Sequence, residues 1–232
     1  MNFFYVVILY LFFLISFCFA NPIIRVGNFS GESVEIVLGE LEKPSIELYD
    51  LQHTEVTQTI HTIKQVQYSF YFRVNNTNDW VSLTDDNGNK AVYQLNDNGV
   101  YMFIFGYSGI PYCIDLSSHK KSDDGLFYIL NESGREINLL KITDDWEYGQ
   151  KGLFLKEIGS GDLIGPENIE YGKWKIMWSY SDDPKIERYF VYPNSKNTTI
   201  EEPLIIDYTN SVKYFMVLYR DLMGESVRLF DW

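Results

Sequence analysis

The chain has 232 residues, 46% of them hydrophobic and 17% aromatic, with 18 Tyr and 16 Phe. Such content excludes a solvated, disordered chain and supplies β-favouring surface for one large or two modest cores. A formal charge of −13 and a pI near 4.6 mean that a polyanion approaches against a repulsive mean field, which sets nucleic-acid binding aside.

The first twenty residues, "MNFFYVVILYLFFLISFCFA", carry no charge and give way at once to "NPIIRV". They are read as an export leader, residues 1–20, with the small residues Cys18 and Ala20 at positions −3 and −1 and cleavage before Asn21. Two alternatives stay open: an uncleaved anchor, since about 20 apolar residues span a bilayer, and lipidation at Cys18. Membrane contact is expected only through this leader, and the mature protein is expected in the periplasm or secreted. The second cysteine, Cys113 in "GIPYCIDL", then has no intramolecular partner, and its apolar neighbours predict a buried structural thiol.

From Ile23 to Leu38 apolar residues alternate on both sides of "NFSGES", which predicts a β-hairpin. Beyond a break at Pro44, runs of Thr, Val, Ile and Tyr predict strands at Ser45–Leu48, Gln58–Ile63 and Gln67–Val74. The turn clusters "TDDNGN" and "LNDNG" then separate "WVSL", "AVYQL" and "VYMFIFG" into a meander of short strands. Tyr101 to Phe105 is apolar on both parities, as in a strand buried on both faces. The polar run His119–Asp124 marks a boundary between two domains, 21–118 and 125–232.

After that boundary, "FYILNESGREINLLK" can be laid on "IRVGNFSGESVEIVL" without a gap, placing Asn131 on Asn28, Ser133 on Ser30, Gly134 on Gly31, Ile137 on Val34 and Leu139 on Ile36. The closing strand from Tyr101 is similarly matched by the one from Tyr214. Between these ends, Gly149 to Gly172 reads as a long loop, while Gly, Pro and alternation in "SGDLIGPENIEYGKWKIMWSYSDD" suggest loops and strands. The fold class expected is all-β: two tandem antiparallel β-sandwich domains of jelly-roll or carbohydrate-binding-module type.

The residues of a catalytic or metal centre are scarce. Of three histidines, His53, His61 and His119, none stands in an Asp-x-x-His or Gly-x-Ser-x-Gly setting. "GSGD" at Gly159–Asp162 reads as a loop. The acidic turns "DDNG" at Asp85–Gly88 and "SDDG" at Ser122–Gly125 lack the alternating spacing of a calcium loop and read as solvated turns. Sequons at Asn28, Asn75, Asn131 and Asn197 matter only in a eukaryotic secretory route. No catalytic, cofactor-binding or metal-binding residue is assigned, and no cofactor is expected. Among Trp80, Trp146, Trp174, Trp178 and Trp232, most are expected to fill the sandwiches; Trp146 in "DDWEYG" and Trp232 at the end are the candidate contacts for a partner or a glycan.

The two hairpins together resemble those of AlgF, the periplasmic accessory protein of alginate O-acetylation, a family that begins after its leader with apolar-Arg-Val-x-Asn-x-Ser-x-x-x-Val-x-Val. The resemblance implies β-sandwich domains similar to carbohydrate-binding modules, no catalytic activity, and a role as an adaptor among periplasmic and membrane polysaccharide acetylation proteins, with the exopolysaccharide itself as a further possible partner. The alternative is a secreted carbohydrate-binding or adhesion module that uses exposed aromatics. An enzyme, an unfamiliar esterase or acetyltransferase, is the third reading.

Overall fold

The computed structural model describes residues 21–40, 43–62, 67–74, 79–85, 87–106, 111–117, 125–144, 151–170, 172–189, 204–206, 213–221 and 224–231. The leader, the boundary run His119–Asp124, and Trp146 and Trp232 lie outside them. Among the described residues no helix is long and apolar enough to cross a membrane. The chain divides into two compact units, Met1–Ser118 and His119–Trp232.

The first unit contains β1 (Ile23–Asn28), β2 (Val34–Glu40), β3 (Lys43–Leu51), β4 (Ile60–His61), β5 (Phe70–Val74), β6 (Val81–Ser82), β7 (Val100–Phe105) and β8 (Pro111–Asp115). They form two four-stranded sheets, in the orders β4-β1-β7-β8 and β3-β2-β5-β6. Ile24, Val26, Ile36, Leu38, Phe70 and Phe103 meet between the sheets as one apolar core. Alternation on each strand thus becomes a two-layer sandwich, because each sheet has one apolar face to bury.

The second unit contains β9 (Gly125–Glu132), β10 (Ile137–Thr143), β11 (Gly152–Ile158), β12 (Leu163–Ile169), β13 (Gly172–Tyr180), β14 (Asp183–Tyr189), β15 (Leu204–Ile206), β16 (Lys213–Asp221) and β17 (Gly224–Asp231). Its sheets run β12-β9-β16-β17 and β11-β10-β13-β14, with β15 added beside β13. Strand for strand this is the order of the first unit plus one strand. The pairings are antiparallel except for one in each unit, β1 with β7 and β9 with β16. Even the register repeats: Tyr101 pairs Ile24 and Phe103 pairs Val26, while Tyr214 pairs Phe127 and Met216 pairs Ile129.

The repeated turn shows why "N-x-S-G" recurs. Asn28 is fully buried, and its Nδ2 donates to the Glu32 carbonyl at 2.7 Å and the Leu51 carbonyl at 2.8 Å, while its Oδ1 accepts from Ser30 N at 3.1 Å and Ser30 Oγ at 2.7 Å. Asn131 repeats the bracket, donating to the Arg135, Ile158 and Gly159 carbonyls at 2.8, 3.0 and 2.9 Å and accepting from Ser133 N and Oγ at 3.2 and 2.6 Å. Only an amide offers two donors and an acceptor in that geometry. Gly31 and Gly134 take φ of 92° and 75°, a left-handed turn position that glycine fills at little cost.

Several expectations need correction. Pro44 does not end a strand: β3 runs through it, on the edge of its sheet, where a missing N–H leaves no ladder bond unmade. "AVYQL" forms no strand, only an isolated bridge between Tyr93 and Tyr68. The expected loop from Gly149 to Gly172 contains β11 and β12. The gapless match of the hairpins fails after Ile137, where β10 is bulged against β13, so that Leu140 takes the core place and Leu139 is half-buried. Cys113 is exposed, not buried: β8 is an edge strand, so its inward-facing side chain lies at the open rim. Tyr101 to Phe105 is buried on both parities, as read.

Candidate functional site

One outer sheet face of the first unit gathers aromatic and cationic side chains. On β2, Ile36 and Leu38 point into the core, so Glu35 and Val37 lie on the other face. Register carries that face across the sheet: Glu35 opposes Arg73, Val37 opposes Tyr71, and Tyr71 opposes Ser82. Trp80, just before β6, stands beside Arg73, whose guanidinium carbon lies 4.8 Å from the indole centroid. In the next row the Lys90 ammonium lies 4.6 Å from the Tyr71 ring centroid and donates to the Tyr71 hydroxyl.

The two cations differ in their partners. Arg73 is tied to the Glu35 carboxylate by a hydrogen bond from Nε and an ion pair through Nη2, which holds it over Trp80. Lys90 is exposed and, among the described residues, makes no ion pair. Tyr71 and Trp80 are half-buried. The face therefore offers half-exposed rings, an oriented guanidinium and an exposed ammonium above a rigid core. Such a surface stacks and hydrogen-bonds a polar ligand without reacting with it.

The other singled-out residues fall elsewhere. His53 accepts from the Gly31 amide at Nδ1, 3.1 Å, and stands edge-on to Phe29. His61 is exposed on β4, and His119 lies outside the described residues. No group of three or more metal-ligating side chains occurs among the described residues. The Asp85 carboxylate accepts from the backbone of Asn87 and Asn89, each at 2.9 Å, and so closes its own turn. Asp162 of "GSGD" likewise accepts from Gly159 N at 2.7 Å, in a turn docked on Asn131. Trp174 and Trp178 are core. The exposed Cys113 has its thiol pushed up to about 12, first by the protein packed around the sulfur and then by Asp115, so little thiolate exists near neutrality. Trp80 was missed as a contact in the sequence, although "NDW" places it after polar residues just as "DDW" places Trp146.

No family model matches the chain, and no curated protein matches it by sequence. Among solved structures, the tip fimbrial protein Mfa3 from Porphyromonas gingivalis, truncated at its C-terminus, is similar at 10% identity and a TM-score of 0.31, over 90% of this chain and 98% of that one. A Bacteroides uniformis ATCC 8492 protein assigned to cell adhesion is similar at 9% identity and a TM-score of 0.24, over 93% of this chain and 97% of that one.

Proposed function

We propose that this protein is an exported, non-enzymatic binding module of the adhesion or carbohydrate-binding kind, and that it holds its ligand on the outer face of the β3-β2-β5-β6 sheet. The observation that supports this is the pairing of Arg73 with Trp80 and of Lys90 with Tyr71 in adjacent rows of one sheet face. Stacking against rings, with cations and hydroxyls to fix orientation, is how sugars and polar surface groups are recognised without chemistry.

The acetylation-adaptor reading comes second. The residues that carry its resemblance are the bracket residues, of which Asn28, Asn131 and Ser133 are buried. Their recurrence is explained by the turn they hold, so they support a fold and not a partner. Co-purification with a membrane O-acyltransferase from an intact export complex would move that reading to the front.

The test is a glycan array and an extracellular-protein array probed with the mature protein. Trp80→Ala and Tyr71→Ala are each expected to weaken binding about tenfold or more, the scale of an interface hot spot, with an unchanged melting curve. Wild-type affinity in both variants would sink the assignment of this face.

A further inference from the structure

Both units dock a second turn on the Asn of the bracket, and they hold it differently. In the second unit the turn is Gly159–Asp162: Gly161 N donates to the Asn131 carbonyl at 2.7 Å, Asn131 N donates to the Asp162 carbonyl at 3.0 Å, and the Asp162 carboxylate accepts from Gly159 N at 2.7 Å. In the first unit Gln52–Glu55 repeats each bond: Thr54 N donates to the Asn28 carbonyl at 2.6 Å, Asn28 N to the Glu55 carbonyl at 2.9 Å, and Gln52 N to the Glu55 carboxylate at 2.9 Å. Position for position, Thr54 stands where the second unit has Gly161, and His53 where it has Ser160. The φ of Gly161 is 86° and that of Thr54 is 68°. Glycine takes this left-handed conformation at little cost, whereas a β-branched threonine is strained in it. The first unit adds a bond across the strained turn: Gly31 N donates to His53 Nδ1 at 3.1 Å. Among the described residues, Ser160 makes no such bond to Gly134.

A backbone amide can only donate, so His53 Nδ1 carries no proton here and the ring is the neutral Nε2–H tautomer. A proton added at Nδ1 removes the acceptor and sets two N–H groups against each other. The edge that follows is also less firmly held in the first unit. β12 pairs β9 from Leu163 to Ile169, whereas the matching edge of β1 is covered by one bridge, Gly27 with Val56, and by the two residues of β4. Between them Thr57 N donates to the Val26 carbonyl at 2.9 Å and Val26 N to Thr57 Oγ1 at 3.0 Å. The charged groups on the packed elements are Glu32 on the β1–β2 turn, Asp50 and Glu55 on the His53 turn, and Arg25, whose Nε donates to the Thr57 carbonyl at 2.9 Å. Carboxyl groups ordinarily titrate near pH ~4 and imidazole near ~6.5, so a change between about pH 7.5 and 5.5 is the mark of a histidine. We infer that His53 is a pH-sensitive latch: its neutral ring holds the strained turn Gln52–Glu55 on Gly31, and protonation at Nδ1 releases the turn and loosens the segment through His61 from the edge of β1. The released turn takes up a proton that the latched turn excludes, so the edge is held above the imidazole range and freed as pH falls through it. The latch lies on the β4-β1-β7-β8 sheet and does not depend on the ligand face of the other sheet.

The experiment is hydrogen exchange of the full mature chain at about pH 7.5 and 5.5, with rates corrected for the intrinsic pH dependence of amide exchange. Protection across residues 52–61 should fall about tenfold at the lower pH, the scale of one net hydrogen bond. Residues 159–169, which carry the same turn without a histidine, should keep their protection. In the parent protein the Gly31 amide resonance should move with the titration of the His53 ring. His53→Asn sets an acceptor oxygen that does not titrate in place of Nδ1 and should abolish the fall. His61→Gln, which replaces the exposed imidazole of β4, should leave it intact. No fall in the parent, an equal fall across residues 159–169, a fall that persists in His53→Asn or vanishes in His61→Gln, or a Gly31 amide that ignores the ring titration would each overturn the proposal. The last of these is read on the parent, so it stands whether or not a variant folds.

Discussion

Replacing Asn131 by Asp keeps the size and shape of the side chain and removes its donors. The native Nδ2 serves three carbonyls, those of Arg135, Ile158 and Gly159, from a residue with no exposed surface. An ionised carboxylate would face those oxygens with no hydrogen to offer, and a protonated one would supply a single donor. Each lost bond is worth about 1 kcal/mol net, and each buried group left unpaired costs about 1–3 kcal/mol. A loss of about 3 kcal/mol is a large part of the roughly 5–15 kcal/mol that holds a domain folded. For a unit of this size it corresponds to a fall in melting temperature of the order of 10–20 °C. Urea unfolding followed by tryptophan emission reads the second unit, because Trp174 and Trp178 sit in its core. Ser133→Ala, which removes one accepted bond to Asn131 Oδ1, should cost about 1 kcal/mol. If Asn131→Asp unfolds within about 0.5 kcal/mol of the parent, the size of an ordinary surface substitution, the bracket is not what fixes the turn.

Other outcomes follow from the same structure. Asn28 and Asn131 should carry no glycan in folded protein secreted from a glycosylating host, because their amides are buried and bonded; glycopeptide mapping that finds either occupied would refute the burial. Alkylation of Cys113 by iodoacetamide should climb log-linearly from pH 8 to 10 without a plateau, since the thiol is raised from 9.0 to about 12; a plateau near pH 9 would show an ordinary thiol. Tyr93, also raised to about 12 chiefly by burial and then by Cys113, acts in the same direction. Both groups keep their protons longer folded than unfolded, so their contribution to stability is full below about pH 9 and is lost as pH rises toward 12. Asp182 has the opposite sign: its bond to Arg135, 3.0 Å from Nε and 2.5 Å from Nη2, holds its carboxyl below the usual range. Its contribution is present above the ordinary carboxylate range and is lost as pH falls through the lowered value, so Arg135→Gln should flatten the acid limb of a stability–pH curve.

Much of the fold was legible because two local rules carry it. Alternation gave the inner faces of β1, β2 and β10 at its start, and the Asn-x-Ser-Gly spelling gave a turn whose side-chain bonds span only a few residues. The doubly apolar run from Tyr101 marked a central strand. What stayed hidden depends on lateral neighbours. Pro44 is harmless only because β3 is an edge strand, and Cys113 is exposed only because β8 is one. The bulge at β10 shifts parity by one residue in response to β13, distant in the chain. Arg73 over Trp80 and Lys90 over Tyr71 are assembled by neighbouring segments of the sheet, and no spacing within one segment announces them.

The two units also show which parts of a duplicated sandwich can change and which cannot. A buried amide that serves several carbonyls fails as a whole when one member is lost, so both copies keep Asn, Ser and Gly in place. The parallel pairing of the first strand with the closing strand is kept with its register, since a slip of one residue would turn every core side chain outward. The outer face of the second sheet carries neither constraint. Its half-exposed and exposed side chains stand apart from the core between the sheets, and there the first unit pairs rings with cations, Arg73 with Trp80 and Lys90 with Tyr71. Substitutions on these faces should therefore move binding at little cost in stability, and substitutions in the brackets should do the reverse. That separation is what the proposed binding role requires, and it is why the residues that carry the family resemblance say least about a ligand.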